Sequence, residues 1–182
     1  MNQALVLIVA CIALGAVAAF MGTARYRQVR AFADSVVQQL SGRARIVRGR
    51  CSLTNATVSC DFAGRRVRVT LDCQEGLSLL QIRLDCLAPG CFLVGEGDDA
   101  ESWAFQLPDH EVREAVRRLV QTHGVQVQLD AVRSAPERLR LVYSPVKGLM
   151  RAPRNLNEVV TEAEALARLL ERPAEARGST DP

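Results

Sequence analysis

The chain has 182 residues, 48% of them hydrophobic, and a formal net charge of +3 from 23 basic and 20 acidic side chains. That length leaves room for one ordinary domain with a real core, and the hydrophobic fraction excludes a disordered, highly charged chain. The charge is uneven: residues 25–68 hold ten arginines against Asp34 and Asp61, whereas residues 69–182 hold thirteen basic against eighteen acidic side chains.

Residues 4–21, ALVLIVACIALGAVAAFM, contain no charge. As a helix they reach about 27 Å, close to the ~30 Å hydrocarbon thickness of a bilayer, which predicts a single transmembrane anchor over residues 1–24. A cleaved signal peptide is disfavoured because Met1-Asn2-Gln3 offers no basic side chain, although Ala16-Val17-Ala18 has the form of an exit site. Lipidation at Cys11 has too few residues before it, and a buried soluble helix would need a larger core. Arg25, Arg27 and Arg30 follow the span and no basic residue precedes it, which places the N-terminus outside and the domain in the cytoplasm. Cys11, Gly15 and Ala19 fall four apart, a small-residue face on which spans can associate as a homodimer.

After the span, Tyr26, Val29, Ala33, Val36 and Leu40 recur at helical spacing with Phe32 and Val37 beside them. This predicts a juxtamembrane amphipathic helix over 25–43, continuous with the anchor and stopped at Gly42. From Ala44 the period becomes alternating. Val58, Cys60 and Phe62 share a face, Gly64-Arg65 turn the chain, and Val67, Val69, Leu71 and Cys73 alternate with polar residues, giving a hairpin with an arginine-rich outer side. Leu80, Ile82, Leu84 and Cys86 extend the meander; Cys91 to Val94 and residues 103–107 supply two short strands. Asp109 opens a helix that Gly124 ends after His123. Val125, Val127 and Leu129 pair with Leu139, Leu141 and Tyr143 as a second hairpin. Asn155 with Glu158 has the form of a capping box before a last helix that Pro173 stops, and residues 173–182 read as a disordered tail.

Chemical motifs are sparse. Gly95-Glu96-Gly97-Asp98-Asp99-Ala100 has the letters of a dinucleotide fingerprint, but its carboxylates would crowd a pyrophosphate and a strand follows where a helix must begin. Glu96, Asp98, Asp99 and Glu101 lack calcium-loop spacing. His110 and His123 have no triad or zinc neighbours. Cys51, Cys60, Cys73, Cys86 and Cys91 show no Cys-x-x-Cys pair and are odd in number for a disulfide framework; the alternation puts Cys60, Cys73 and Cys86 on apolar faces as small hydrophobes. No catalytic, cofactor-binding or metal-binding residue is assigned.

The expected fold class is α+β: a transmembrane helix and a linking helix, then a largely antiparallel sheet over 44–172 with two helices packed on one face. In organisation alone this layout resembles bacterial membrane-tethered proteins. The expected function is a non-catalytic, membrane-tethered interaction or scaffolding domain on the cytoplasmic side. The alternatives are an extracytoplasmic disulfide-stabilised binding domain and an enzyme whose site is assembled from distant residues. Arg25, Arg27, Arg30, Arg43, Arg45, Arg48, Arg50, Arg65, Arg66 and Arg68 are the expected contacts to anionic lipid headgroups. Nucleic acid is disfavoured, since no aromatic side chains interleave with these arginines to stack bases. A protein partner is expected, but the sequence does not identify it.

Overall fold

The computed structural model describes residues 3–74, 76–95, 107, 109–130, 138–148 and 151–172, with side chains from Cys11 onward. Helix α1 (Gln3–Leu40) runs without interruption from the apolar run into the amphipathic segment, a length of about 57 Å. Its two halves have different surroundings. Val29, Phe32, Ala33, Val36 and Leu40 are buried against the domain, while every side chain from Cys11 to Met21 is exposed. Among the described residues no helix is long and apolar enough to cross a membrane. Of the run 4–21, the side chains before Cys11 lie outside the described set.

The domain is built on one eight-stranded antiparallel sheet. Its strands are β1 (Ala44–Cys51), β2 (Asn55–Phe62), β3 (Arg65–Gln74), β4 (Leu77–Leu84), β5 (Phe92–Val94), β6 (Val125–Leu129), β7 (Leu139–Tyr143) and β8 (Val146–Lys147). They lie in the order β1-β2-β3-β4-β7-β6-β5, with β8 paired to the start of β4. Alternation in β2, β3, β4, β6 and β7 sends one set of side chains, including Val58, Val69, Ile82, Val127 and Leu141, fully into the core. Helices α2 (His110–His123) and α3 (Leu156–Glu171) and the lower half of α1 cover that face. Three helices therefore pack where two were expected, because the stripe of α1 docks on β1 and β2. Among the described residues, no helix covers the other face of the sheet.

Local chemistry departs from expectation at two places. The β2–β3 turn is Ala63-Gly64, one residue earlier than predicted, with Phe62 opposite Arg65 and positive φ at both turn residues (50° and 84°). Asn155 makes no side-chain cap bond to α3. Its amide nitrogen instead lies 2.8 Å from His123 Nδ1, and Gln39 Oε1 of α1 accepts the Leu156 N–H at 3.3 Å. Helix α2 is capped as expected: Asp109 Oδ1 accepts from Glu111 and Val112, and Gly124 takes the left-handed conformation. The expected strand at 103–107, apart from Leu107, the acidic loop from Glu96 and the tail 173–182 lie outside the described residues.

Candidate functional site

The uncovered face owes its chemistry to a register shift. In β1 the pairing passes from Ile46 opposite Cys60 directly to Arg48 opposite Ser59, leaving Val47 as a bulge. A one-residue slip exchanges the two faces of a strand. Without the bulge, Arg48 and Arg50 would point under α1; with it, both are exposed on the open side, Arg50 opposite Thr57.

The pairing then carries two polar rows across the sheet. One reads Arg48, Ser59, Arg68, Arg83, Arg140, Gln128; the other reads Arg50, Thr57, Thr70, Gln81, Val142, Gln126. Arg48, Arg50, Thr57, Ser59, Arg68, Thr70 and Arg83 line a hollow of about 440 Å³. With strands ~4.8 Å apart and ~3.4 Å rise per residue, the four guanidinium-bearing positions span about 14 by 7 Å. Among the described residues, four arginines and three hydroxyl side chains line the hollow.

Such a grouping works against the sheet. Like charges directly opposite, as Arg68 and Arg83 are, destabilise a strand pair. Arg48 and Arg50, two positions apart on one face, are both exposed and carry like charges. Among the described residues neither has an ion-pair partner. Arg83 Nη2 donates to Gln81 Oε1 at 3.1 Å, and Arg140 is neutralised by Asp130 at 3.1 Å. Acids also stand along the strands on either side: Asp61 between Arg45 and Arg66, and Asp72 opposite Asn55.

The ten arginines expected at headgroups do not form one surface. Arg25, Arg27 and Arg30 lie where α1 leaves the domain, and Arg25 Nη2 donates to the Cys73 carbonyl at 3.0 Å. Arg48, Arg50 and Arg68 line the hollow. Arg43, Arg45 and Arg66 sit at the opposite end of the strands, about 27 Å from the Gln74 end. Arg65 shares the parity of Val67 and turns to the helix-covered side. There it forms a fork on Glu171 (2.8 and 2.5 Å) and reaches the Asp85 carbonyl (3.0 Å) and Glu164 (3.4 Å). Arg83, which completes the hollow, was not among the residues singled out from sequence. Its alternation was visible, but its placement opposite Arg68 depends on the β3–β4 turn. Cys11, Gly15 and Ala19 are all exposed, with no atom within 4 Å of a Cβ built on Gly15.

A second cluster lies between α2 and α3. His123 has a side chain 2% exposed, Asn155 at Nδ1 and Glu162 Oε2 3.4 Å from Nε2. The adjoining hollow of about 330 Å³ is lined by Glu162 but not by the ring, so the histidine ties the two helices together without reaching a ligand. The cysteines are free; Cys60, Cys73 and Cys86 are buried, and burial pushes the Cys60 thiol up to about 11. Among the described residues no three His, Cys, Asp or Glu are grouped to hold a metal ion. No protein-family model, curated protein or solved structure matches the chain.

Proposed function

We propose that the chain is a single-pass, membrane-tethered, non-catalytic binding domain, with its N-terminus outside and its domain on the cytoplasmic side. The observation that carries the tether is the bare upper half of α1. Ile12, Leu14, Val17, Phe20 and Met21 are 54–74% exposed. Burying a large apolar side chain contributes about 1.5–3 kcal/mol, so leaving these five in water forfeits on the order of 5–10 kcal/mol. A bilayer recovers it, and the sequence before Cys11 is likewise uncharged.

Orientation rests on Arg25, Arg27 and Arg30 at the domain end of the run. The end of the sheet beside this exit is apolar at its tips: Leu53, Leu77 and Val146 are exposed there, next to Arg25 and Lys147. Side chains of this mixture suit a membrane interface. Five unpaired domain cysteines agree with a reducing compartment. A non-catalytic role is favoured by the character of the sheet hollow, where the described lining offers cations and hydroxyls without a base to activate them.

The test is an alkaline carbonate wash of membranes, with mass spectrometry of the mature N-terminus. The chain should stay in the pellet with residues 4–21 intact. Release by the wash, or a mature protein starting at Ala19, would overturn the tether.

A further inference from the structure

We infer that the domain stands upright on the bilayer surface, with the tips of the β1–β2 and β3–β4 turns and strand β8 pressed into the lipid interface. This rests on the proposed tether and adds a second membrane contact to it. The course of α1 places that contact. Leu40 leads through Arg43 into β1, which opens opposite Phe62, whereas Arg25 Nη2 reaches the Cys73 carbonyl at the other end of the same strands. The helix therefore leaves the domain at the sheet end that holds Cys51, Asn55, Gln74, Leu77 and Lys147. Met21, where the uncharged run stops, shares a hollow of about 300 Å³ with Arg25, Cys73 and Leu77. A lipid surface that covers the run up to Met21 thus meets the tip of β4, and Leu53, Leu77 and Val146 are exposed at this end.

The turns are suited to entering an apolar layer. Ser52 Oγ accepts the N–H groups of Thr54 (3.2 Å) and Asn55 (3.0 Å), the Thr54 carbonyl accepts from Cys73 (2.7 Å), and the Gly76 carbonyl accepts from Gly148 (2.9 Å). These backbone groups keep their partners when water leaves, which is the condition for placing a turn against lipid. Arg25 and Lys147 have long apolar stems that can lie in the layer with the charge at its polar rim. Charge is mixed here, because Asp72 and, in sequence, Glu75 accompany these two cations. The apolar side chains therefore carry the contact, and salt should not release it.

Depth follows from the same geometry. The polar layer of one leaflet is about 5–8 Å deep. Arg25 and Arg27 follow Met21 by about 6 and 9 Å along the helix and reach that layer. Arg43, Arg45 and Arg66, about 27 Å up the strands, stand clear of it.

The test uses the full chain in bilayers. Trp103, the single tryptophan, is replaced (Trp103→Phe), and Phe20→Trp, Leu53→Trp, Leu77→Trp or Leu87→Trp is added one at a time. Leu87 is exposed beyond the far end of β4. Emission from the Leu53→Trp and Leu77→Trp chains should be blue-shifted and quenched by lipids brominated high on the acyl chain, at high salt as at low. The Phe20→Trp chain should be quenched too, and the Leu87→Trp chain should not. Quenching of Phe20→Trp without Leu53→Trp and Leu77→Trp overturns the inference and leaves the tether standing; quenching of none of the three overturns both. Quenching of Leu87→Trp as strong as that of Leu77→Trp overturns the upright pose.

A second readout keeps the native side chains. Hydroxyl-radical labelling of Leu53, Leu77 and Val146 in bilayers, measured against the denatured chain, should be lost while Leu87 is labelled. Leu53→Asp with Leu77→Asp should restore labelling of Val146 without moving the melting temperature in detergent. Tips labelled as heavily as Leu87, or Val146 still shielded in the double variant, would overturn the inference.

Discussion

Replacing Arg65 by methionine should destabilise the domain on the side where β3 meets α3. Its side chain is 16% exposed, Glu171 is 24% and Glu164 is 9%, so the pair is largely removed from water. Methionine keeps the stem's packing but deletes the fork on Glu171 and the bond to the Asp85 carbonyl. Removing one member of a buried pair costs about 3–5 kcal/mol. Here the lower figure applies, because Glu171 keeps the Leu87 N–H and Glu164 keeps Arg168. A loss of about 3 kcal/mol in a domain of this size lowers the melting temperature by about 10 °C. The acid limb supplies a second signature. Hydrogen bonding to Arg65 holds the Glu171 carboxyl below its ordinary value. A depressed folded-state pKa stabilises above the unfolded value and is lost as pH falls through the folded one. The methionine variant should therefore lose less stability than the parent between neutral and acid pH, and Arg65→Lys, with charge but no fork, should fall between them. Thermal melts of the full chain in neutral detergent measure this. A drop of under about 3 °C at neutral pH, with an unchanged acid slope, would refute the reasoning.

Ala63 holds φ 50° in a two-residue turn that favours Asn-Gly, so Ala63→Asn should raise stability by about 0.5–1 kcal/mol. A melting temperature at or below the parent's would count against the turn assignment. Rapid alkylation of unreduced folded protein should label Cys91 first and leave Cys60, Cys73 and Cys86 for the denatured chain. Detection of any domain cysteine only after reduction would contradict free thiols. Gln39→Ala should destabilise by about 1 kcal/mol, since its side chain takes the capping role at α3 that Asn155 gives up to His123. If Asn155→Ala proves costlier in the same melts and leaves the His123 ring signals unmoved, that division of roles is wrong.

Where a strand alternates cleanly, its position and its buried face were legible: β2, β3, β4, β6 and β7 lie where Val58, Val69, Ile82, Val127 and Leu141 put them. Strand β1 was not, because the Val47 bulge breaks the alternation of ARIVRGRC and, beyond the bulge, Gly49 leaves the inner side without a large side chain. Placing the first turn one residue late also assigned Arg65 to the outer face, although its parity with Val67 gives the inner one. The hollow required register as well as pattern. Arg48, Arg68 and Arg83 are far apart in sequence and meet only when two hairpins pair, information that no single strand carries. The capping-box letters at Asn155 were overridden by a tertiary contact, since His123 stands 32 residues away. The free, buried cysteines followed directly from alternation, which needs no tertiary knowledge.

The tether with a cytoplasmic domain is tested most directly by a topology reporter fused after Pro182, paired with one that works only on the outer side. The account predicts signal from the cytoplasmic reporter alone, in the membrane fraction. Signal from the outer-side reporter, or cytoplasmic signal in the soluble fraction, would contradict it.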